Sequence, residues 1–354
     1  MLETGPQYKR VAKLIKKRIL HGDYSIKSIP SERQIARELN VNFMTVRRGL
    51  QLLVDDGLIE RRRGRMRVRD DGKGSRRIVR VALLVPILAS SRVDELRVAT
   101  EIAAESRGIS VRTVIYVHWD DPVLLDAVQG FDGAFIVPPE EPVSPEVLKV
   151  VRNASLRVVV LDQNLSGFGL PSILQFPTNC GQVVLDHLAS LGRSRIACLN
   201  TQPEHTPVLE RIDLWRYWMA AHGFRGKLYN RPVKSGEVTS TAALRYMKEI
   251  LETGMDADAI FCITAAAAVG VLRALADSRR KVGAEFPVAA FSGEGIAELL
   301  NPTLTSLKSP DIGPYLKCCL DWMLAGDEPW DGPLIMAPSE IPLFFGESTG
   351  GSGG

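Results

Sequence analysis

Cysteine is scarce. The chain has five, Cys180, Cys198, Cys262, Cys318 and Cys319, an odd number with no CxxC spacing, so neither a disulfide framework nor a thiolate zinc site is indicated. Reduced, mostly buried thiols are the expectation. The five histidines, His21, His118, His187, His205 and His222, are scattered without metal-ligand spacing, and GxSxG, HExxH and P-loop patterns are absent. Catalysis therefore has no motif behind it, and no cofactor or metal is expected. Long apolar runs are missing too. The stretch 81–89 is nine residues with a proline inside it, about half of a bilayer crossing. The basic first twenty residues lack the hydrophobic segment and small-residue cleavage site of a secretory signal. A cytoplasmic protein is expected.

What remains is a composition of 45% apolar and 24% charged residues with 30 Gly and 21 Pro over 354 residues, which suits two or three globular domains. The formal charge of +3 hides an asymmetry: residues 1–80 hold 21 Lys and Arg against 9 Asp and Glu, and the remainder 23 against 32. A small basic unit joined to a larger acidic one points to a polyanion-binding module on a body that the polyanion repels. The polar, Gly-containing stretch 70–77 reads as a linker, and the tail 347–354 reads as disordered from its Gly and Ser content.

Within 1–69, Tyr8, Val11, Ala12, Ile15 and Ile19 recur at helical spacing. Ser31 and Gln34 form a capping box that starts a second helix carrying Ile35, Ala36 and Leu39. After the turn Asn40-Val41-Asn42, a third helix runs from about Phe43 to Asp56, burying Val46, Leu50 and Leu53 and placing Thr45, Arg47 and Arg48 near its start. Two short strands follow, turning at Arg63-Gly64. Arg61, Arg62, Arg63, Arg65, Arg67 and Arg69 put six guanidinium groups on one hairpin, and so many like charges repel unless an anion compensates them. The reading is a winged helix-turn-helix for DNA.

This region resembles the winged helix-turn-helix domain of the GntR family of bacterial transcription regulators. The match lies in Ile29-Pro30-Ser31-Glu32-Arg33, Ala36-Arg37-Glu38-Leu39, Thr45-Val46-Arg47 and Asp56-Gly57-Leu58-Ile59. The resemblance implies that Arg33, Thr45 and Arg47, with Arg48 beside them and Arg63, Gly64 and Arg65 at the wing tip, contact double-stranded operator DNA. Phe43 and Met44 stand where the family carries small polar and basic residues, and Arg65-Met66-Arg67 replaces its glycine-rich wing. The operator is therefore expected to differ.

Residues 78–346 alternate strand and helix patterns. Strands are expected at 79–85, 110–115, 133–137, 157–161, 195–199, 259–263 and 288–291, with helices at 95–106, 180–191, 209–221, 240–251 and 265–277. That rhythm belongs to parallel sheets covered by helices, in two lobes, with a ligand beyond the carboxyl ends of the strands. The segment resembles the sensor domain of the LacI/GalR family, a periplasmic-binding-protein-like type I fold. Its landmarks here are Phe131-Asp132-Gly133, Val159-Val160-Leu161-Asp162, Leu191-Gly192-Arg193-Ser194-Arg195, Arg211 and Asn301-Pro302-Thr303. In its order of domains the whole resembles chimeric sugar-responsive repressors of the arabinose-repressor type, and the resemblance implies a homodimeric repressor controlled by a small molecule, carbohydrate-related, in the cleft of 78–346.

By that resemblance Arg211 reaches the effector, while the family's Asn-Asp pair falls at Thr264-Ala265 and its Phe-Asp-Asp at Phe291-Ser292-Gly293. Losing the aspartate removes the acceptors that grip a free sugar, and Glu294 stands close enough in sequence to replace it. The other expected cleft residues are Ser90, Arg92, Trp119, Asp162, Trp215, Thr264 and Phe291. Trp119, Trp215 and Trp218 either stack on a ligand ring or fill core. Two further readings stay open: an activator or effector-independent DNA-binding protein with a non-functional cleft, and a soluble small-molecule-binding protein or enzyme with a basic appendage.

Overall fold

The computed structural model describes residues 6–24, 28–62, 65–69, 80–87, 91–139, 141, 143–153, 156–177, 179–234, 237–325 and 328–351. The expected linker lies outside them. The first unit holds α1 (Gln7–Leu20), α2 (Glu32–Glu38), α3 (Phe43–Asp55) and an antiparallel pair, β1 (Ile59–Arg62) with β2 (Arg65–Val68). Ser31 caps α2 through the complete capping box, and Asn42 caps α3 by accepting from the Met44 N–H at 2.8 Å. One apolar cluster, centred on Ile15, Ile35, Val46 and Leu50, locks the three helices to the hairpin through Ile59 and Met66.

The second unit runs β3 (Val81–Pro86), α4 (Ser91–Glu105), β4 (Val111–Tyr116), α5 (Pro122–Gly130), β5 (Gly133–Ile136), α6 (Pro145–Asn153), β6 (Arg157–Leu161) and β7 (Ser172–Ile173). It continues with α7 (Gln182–Ser190), β8 (Ile196–Asn200), α8 (Thr206–Ala221), β9 (Leu228–Asn230), α9 (Thr239–Thr253), β10 (Ala259–Cys262) and α10 (Ala265–Asp277). The last elements are β11 (Val288–Ser292), β12 (Thr305–Leu307), α11 (Gly313–Leu324), β13 (Ile335–Met336) and β14 (Leu343–Phe344). They build two six-stranded sheets, ordered β13-β7-β6-β5-β3-β4 and β14-β12-β11-β10-β8-β9, parallel except where β14 meets β12. Strands β3, β5, β8, β10 and β11 are buried along their whole length, as parallel strands with helices on both faces must be. Each sheet has a separate apolar cluster on each face. Two lobes result, and the chain passes between them more than once: α11 and β13 return to the first lobe after β12, and β14 goes back to the second.

The small residues of 265–268 have a structural role. Ala265, Ala267 and Ala268 are fully buried, and a Cβ added at Gly270 would lie 2.4 Å from the Ser240 carbonyl and 2.5 Å from the Leu244 nitrogen. Helices α9 and α10 therefore lie backbone against backbone.

Residues 347–351 correct the composition-based expectation of disorder over 347–354, the last three residues of which lie outside the described ones. Glu347–Thr349 form a 3-10 turn with Ser348 and Thr349 buried. Ser348 Oγ donates to the Val288 carbonyl at 2.6 Å and accepts from the Thr305 N–H at 2.9 Å, and Thr349 reaches Thr305 Oγ1 at 2.7 Å. Short polar side chains that read as solvated tail are here hydrogen-bond plugs at the starts of two neighbouring interior strands, β11 and β12. Ser348→Ala leaves a buried carbonyl and N–H unpaired, so a loss of about 1–3 kcal/mol in unfolding free energy is expected. A chemical denaturation midpoint equal to that of the unmodified chain counts against this docking.

The two units touch where α1 ends. Asp23, after α1, pairs with Arg112 of β4 at 2.6 Å, and the His21 ring meets Ser110 at 3.0 Å.

Candidate effector cleft and DNA-reading face

Between the lobes, beyond the carboxyl ends of the strands, lies a cavity of about 800 Å³. From the first lobe it is lined by Ser91 and Arg92 at the start of α4, by Pro138 and Glu141 after β5, and by Asp162 and Gln163 after β6. The second lobe contributes Gln202 and His205 after β8, Arg211 of α8, Lys234 and Glu237 before α9, Thr264 at the start of α10, and Glu294 after β11.

Two carboxylates leave their strands in the same way. Asp162 follows β6 with φ of 69° and Glu294 follows β11 with φ of 47°, a left-handed backbone that costs a residue with a Cβ on the order of 1 kcal/mol or more. The turn at each place brings an acid to the cavity. Asp162 takes a bidentate ion pair from Arg92, whose guanidinium also lies 4.8 Å from the Phe176 ring centroid. Glu294 accepts from Ser91 Oγ at 3.2 Å across the lobes and from the Ala265 N–H, and burial pushes its carboxyl above the usual range. Arg211, 8% exposed, donates to the Ile263 carbonyl at 3.1 Å and covers the Phe291 ring at 4.0 Å. Burial, with the charge of Arg92 added to it, pushes Arg211 down to about 10. Phe176 and Phe291 meet edge to face at 5.5 Å within the second-lobe cluster, so the two guanidinium groups, Arg92 from the first lobe and Arg211 from the second, are seated on one aromatic pair.

His205 forms the N-cap of α8 without a side-chain capping bond. Burial, then the charge of Arg211, pushes its imidazole from the ordinary 6.5 down to about 4. As pH falls through that window the unfolded chain takes up a proton that the folded chain refuses, so the native state loses stability on the acid side. Glu294 and Glu210, raised by burial, act with the opposite sign. The contribution of His205 is thus read by difference. The melting midpoint of His205→Gln should gain on that of the unmodified protein between about pH 6.5 and 4 and run parallel to it above about pH 7. Curves parallel throughout would remove the assignment.

Of the sequence-derived cleft residues, Arg92, Asp162, Arg211, Thr264 and Glu294 line the cavity together. Ser90 lies outside the described residues. Trp119 and Trp215 do not line it. Trp119 is in the first-lobe core, its Nε1 donating to the Glu141 carbonyl at 3.2 Å, and Trp215 is in the second-lobe core, bonded to the Ile196 carbonyl at 3.1 Å. Their indoles found backbone partners inside the fold, which removes any need to stack on a ligand. Phe291 does not line the cavity either; its ring is buried in the second-lobe core beneath the Arg211 guanidinium. Sequence reading missed Glu141, Gln202, His205, Lys234 and Glu237, which sit on loops. The rule that ligands lie past the carboxyl ends of strands reaches Gln202 and His205 directly, since β8 ends at Asn200.

On the small unit, Arg33 and Arg47 are exposed, Thr45 is half-buried in the first turn of α3, and Arg65, Arg67 and Arg69 are exposed on or just after β2. Arg48 is committed elsewhere, lying 4.1 Å from the Tyr8 ring centroid. Arg63 and Gly64 lie outside the described residues. Arg61 pairs with Glu32, tying the wing to α2.

A winged helix-turn-helix joined to a two-lobed α/β cleft domain is the class that this geometry defines. Residues 7–66 match the model of bacterial regulatory proteins of the gntR family, and residues 185–311 match the periplasmic binding protein-like domain. The chain is thus an N-terminal gntR-type helix-turn-helix fused to a C-terminal periplasmic-binding-protein-like domain. It is 27% identical over 131 residues to the HTH-type transcriptional regulator CelR of Thermobifida fusca, covering 37% of this chain and 38% of that protein. To the ribose operon repressor of Escherichia coli it is 25% identical over 130 residues, 37% of this chain and 39% of the repressor. It spans 38% to 58% of the length of the curated relatives it matches. In fold it is similar to the dimeric Lac repressor, with a TM-score of 0.64 at 17% identity over 77% of this chain and 98% of the other. A LacI family regulator from Weissella paramesenteroides with bound glucose gives 0.60 at 16%, over 76% and 97%. Among the described residues no group of three or more His, Cys, Asp or Glu is placed to hold a metal, and no helix is long and apolar enough to cross a membrane.

Proposed function

We propose that the protein is a bacterial DNA-binding transcription regulator, a repressor acting in the cytoplasm as a homodimer. Its winged unit reads operator DNA, and its interlobe cavity takes a small-molecule effector. The observation that carries this is the pairing of an arginine-studded helix-turn-helix with a cavity of about 800 Å³ between two lobes on one chain, lined in part by charged side chains. Arg33, Thr45 and Arg47 contact bases and phosphates, and Arg65 with the wing reaches the flanking backbone or minor groove. Arg63 and Gly64 are assigned to the same DNA contact on the family resemblance alone. Arg92, Asp162, Arg211, Thr264 and Glu294 form the effector site.

A single small reader obtains specificity from a second half-site, which is the physical argument for a dimer. Ligand control requires different affinities for two arrangements of the lobes. The cross-lobe Ser91–Glu294 bond and the seating of Arg92 on the Phe176 ring are contacts that opening alters, and the Asp23–Arg112 pair links the first lobe to the reader.

Genomic footprinting with the purified protein tests the reading. A palindromic protected site whose protection changes with one chemical class of metabolite supports it. Absence of any duplex footprint favours the binding module with a basic appendage, and protection indifferent to metabolites favours an effector-independent DNA-binding protein.

A further inference from the structure

The cavity has more donors than acceptors to satisfy them. Each of its four lining carboxylates already holds donors of the protein. Asp162 uses both oxygens on Arg92, and Glu294 takes Ser91 Oγ and the Ala265 N–H. Glu141 takes the Trp119 N–H at 2.7 Å, and Glu237 takes the Lys234 N–H at 3.0 Å and Arg245 at 3.1 Å. On the donor side, Arg211 gives a hydrogen bond to one neutral carbonyl and has no ion pair among the described residues. Arg92 keeps Nη1 buried, with no acceptor among those residues. Among the described residues three other buried polar atoms lack partners, Gln175 Oε1, Arg193 Nε and Ser292 Oγ, and they belong to residues that do not line the cavity.

A guanidinium has five N–H donors and no acceptor, so the group that completes Arg211 must bring lone pairs, and a planar anion brings the most in the right geometry. The site already satisfies its one buried carboxylate that is free of a guanidinium partner, Glu294, with a hydroxyl and a backbone donor. An acceptor so placed suits a ligand hydroxyl and repels a second acid group.

Resting on the effector-cleft reading above, we propose that the ligand is a small hydroxy acid whose single carboxylate is held by the Arg211 guanidinium beside Arg92, with its hydroxyls toward Glu294 and Thr264. The arrangement rejects the neutral sugar of the same carbon skeleton, because that sugar leaves a buried cation without a counter-charge. Burial, with the charge of Arg92 added to it, is what pushes Arg211 down to about 10, and an anion at its guanidinium acts against both.

The test works before the natural ligand is identified, because a buried guanidinium site takes small anions weakly. Melting of the full-length protein is followed in sodium acetate, sodium gluconate and sodium phosphate, each up to about 100 mM, against sodium chloride of equal ionic strength and against glucitol. Acetate is expected to raise the midpoint saturably over chloride, and gluconate to do so at concentrations at least tenfold lower. Glucitol is expected to have no effect. Arg211→Gln should abolish the acid-specific shift, and Arg211→Lys should keep a weakened one, which also shows that the position tolerates substitution.

Equal curves in acetate, gluconate and chloride, or an acid response undiminished in Arg211→Gln, overturn the proposal. So does stabilisation by glucitol matching that by gluconate. Phosphate acting where the carboxylates do not would overturn the carboxylate and assign the site to a phosphate ester. Operator binding separates the two levels of the argument. An acid that binds the cleft and leaves DNA affinity untouched sinks the regulator reading and keeps the acid site. A neutral sugar that changes DNA affinity does the reverse.

Discussion

Arg47→Ala is expected to weaken binding to a footprinted operator by one to two powers of ten, about 1–3 kcal/mol, with most of the loss in discrimination against other sequences. The position explains the size. Asn42 caps α3, Val46 and Leu50 fix the buried side of the helix, and Arg47 stands exposed one residue past Val46. A helix held on one side by its core and on the other by nothing presents that outer side to a groove. Arg48→Ala is expected to cost less in DNA binding and more in stability, because its guanidinium is spent on Tyr8. Wing arginines behave differently again. Replacing Arg67 should lower affinity almost equally for all duplexes and reduce the slope of log affinity against log salt by about one. Electrophoretic mobility shifts over a salt series separate these outcomes, and equal affinities for Arg47→Ala and the unmodified protein would end the recognition-helix assignment.

Trp215→Ala is expected to destabilise the second lobe by about 3–5 kcal/mol, more than the loss of any single hydrogen bond or ion pair. Its indole is 5% exposed, donates to the Ile196 carbonyl, and occupies the space that Gly226 leaves by lacking a Cβ. Truncation opens a cavity beside β8 and strands a buried carbonyl at once. Arg211, one turn earlier on the same helix, sets the contrast: Arg211→Ala should cut ligand affinity tenfold or more, about 1.4 kcal/mol, while leaving operator affinity of the ligand-free protein nearly unchanged. Denaturant titrations of Trp215→Ala coincident with those of the unmodified protein would make the indole a candidate ligand contact again.

Residues 6–69 were legible because their signals are local. A capping box, a helical stripe and a run of arginines each act within a few residues, and all three pointed to one small domain. The central strands were legible for the same reason, since a strand buried on both faces is a short continuous apolar run. The expected strand at 157–161 and helix at 265–277 coincide with β6 and α10. The cavity was legible only in part. Arg211, Asp162 and Glu294 carried chemistry in their side chains, whereas Gln202, His205 and Lys234 gain theirs from where the loops fall. Trp119 and Trp215 misled because an indole suits a ligand ring and a core equally, and the choice turns on a backbone carbonyl that only the fold brings near. The chain end misled for a parallel reason: Ser348 and Thr349 are polar by composition and buried by partnership.

The backbone-tight seam between α9 and α10 has a consequence for how new specificities arise in such a protein. Ser240 begins one helix, Thr264 and Ala266 begin the other, and all three residues face the cavity. At Gly270 and Ala243 the helices meet with no large side chain to repack, so sliding or tilting one drags the other. This wall of the cavity therefore behaves as a fixed die. Changes of ligand are free to accumulate on the loops after β5, β6 and β8, where a substitution alters shape or charge without asking two helices to part.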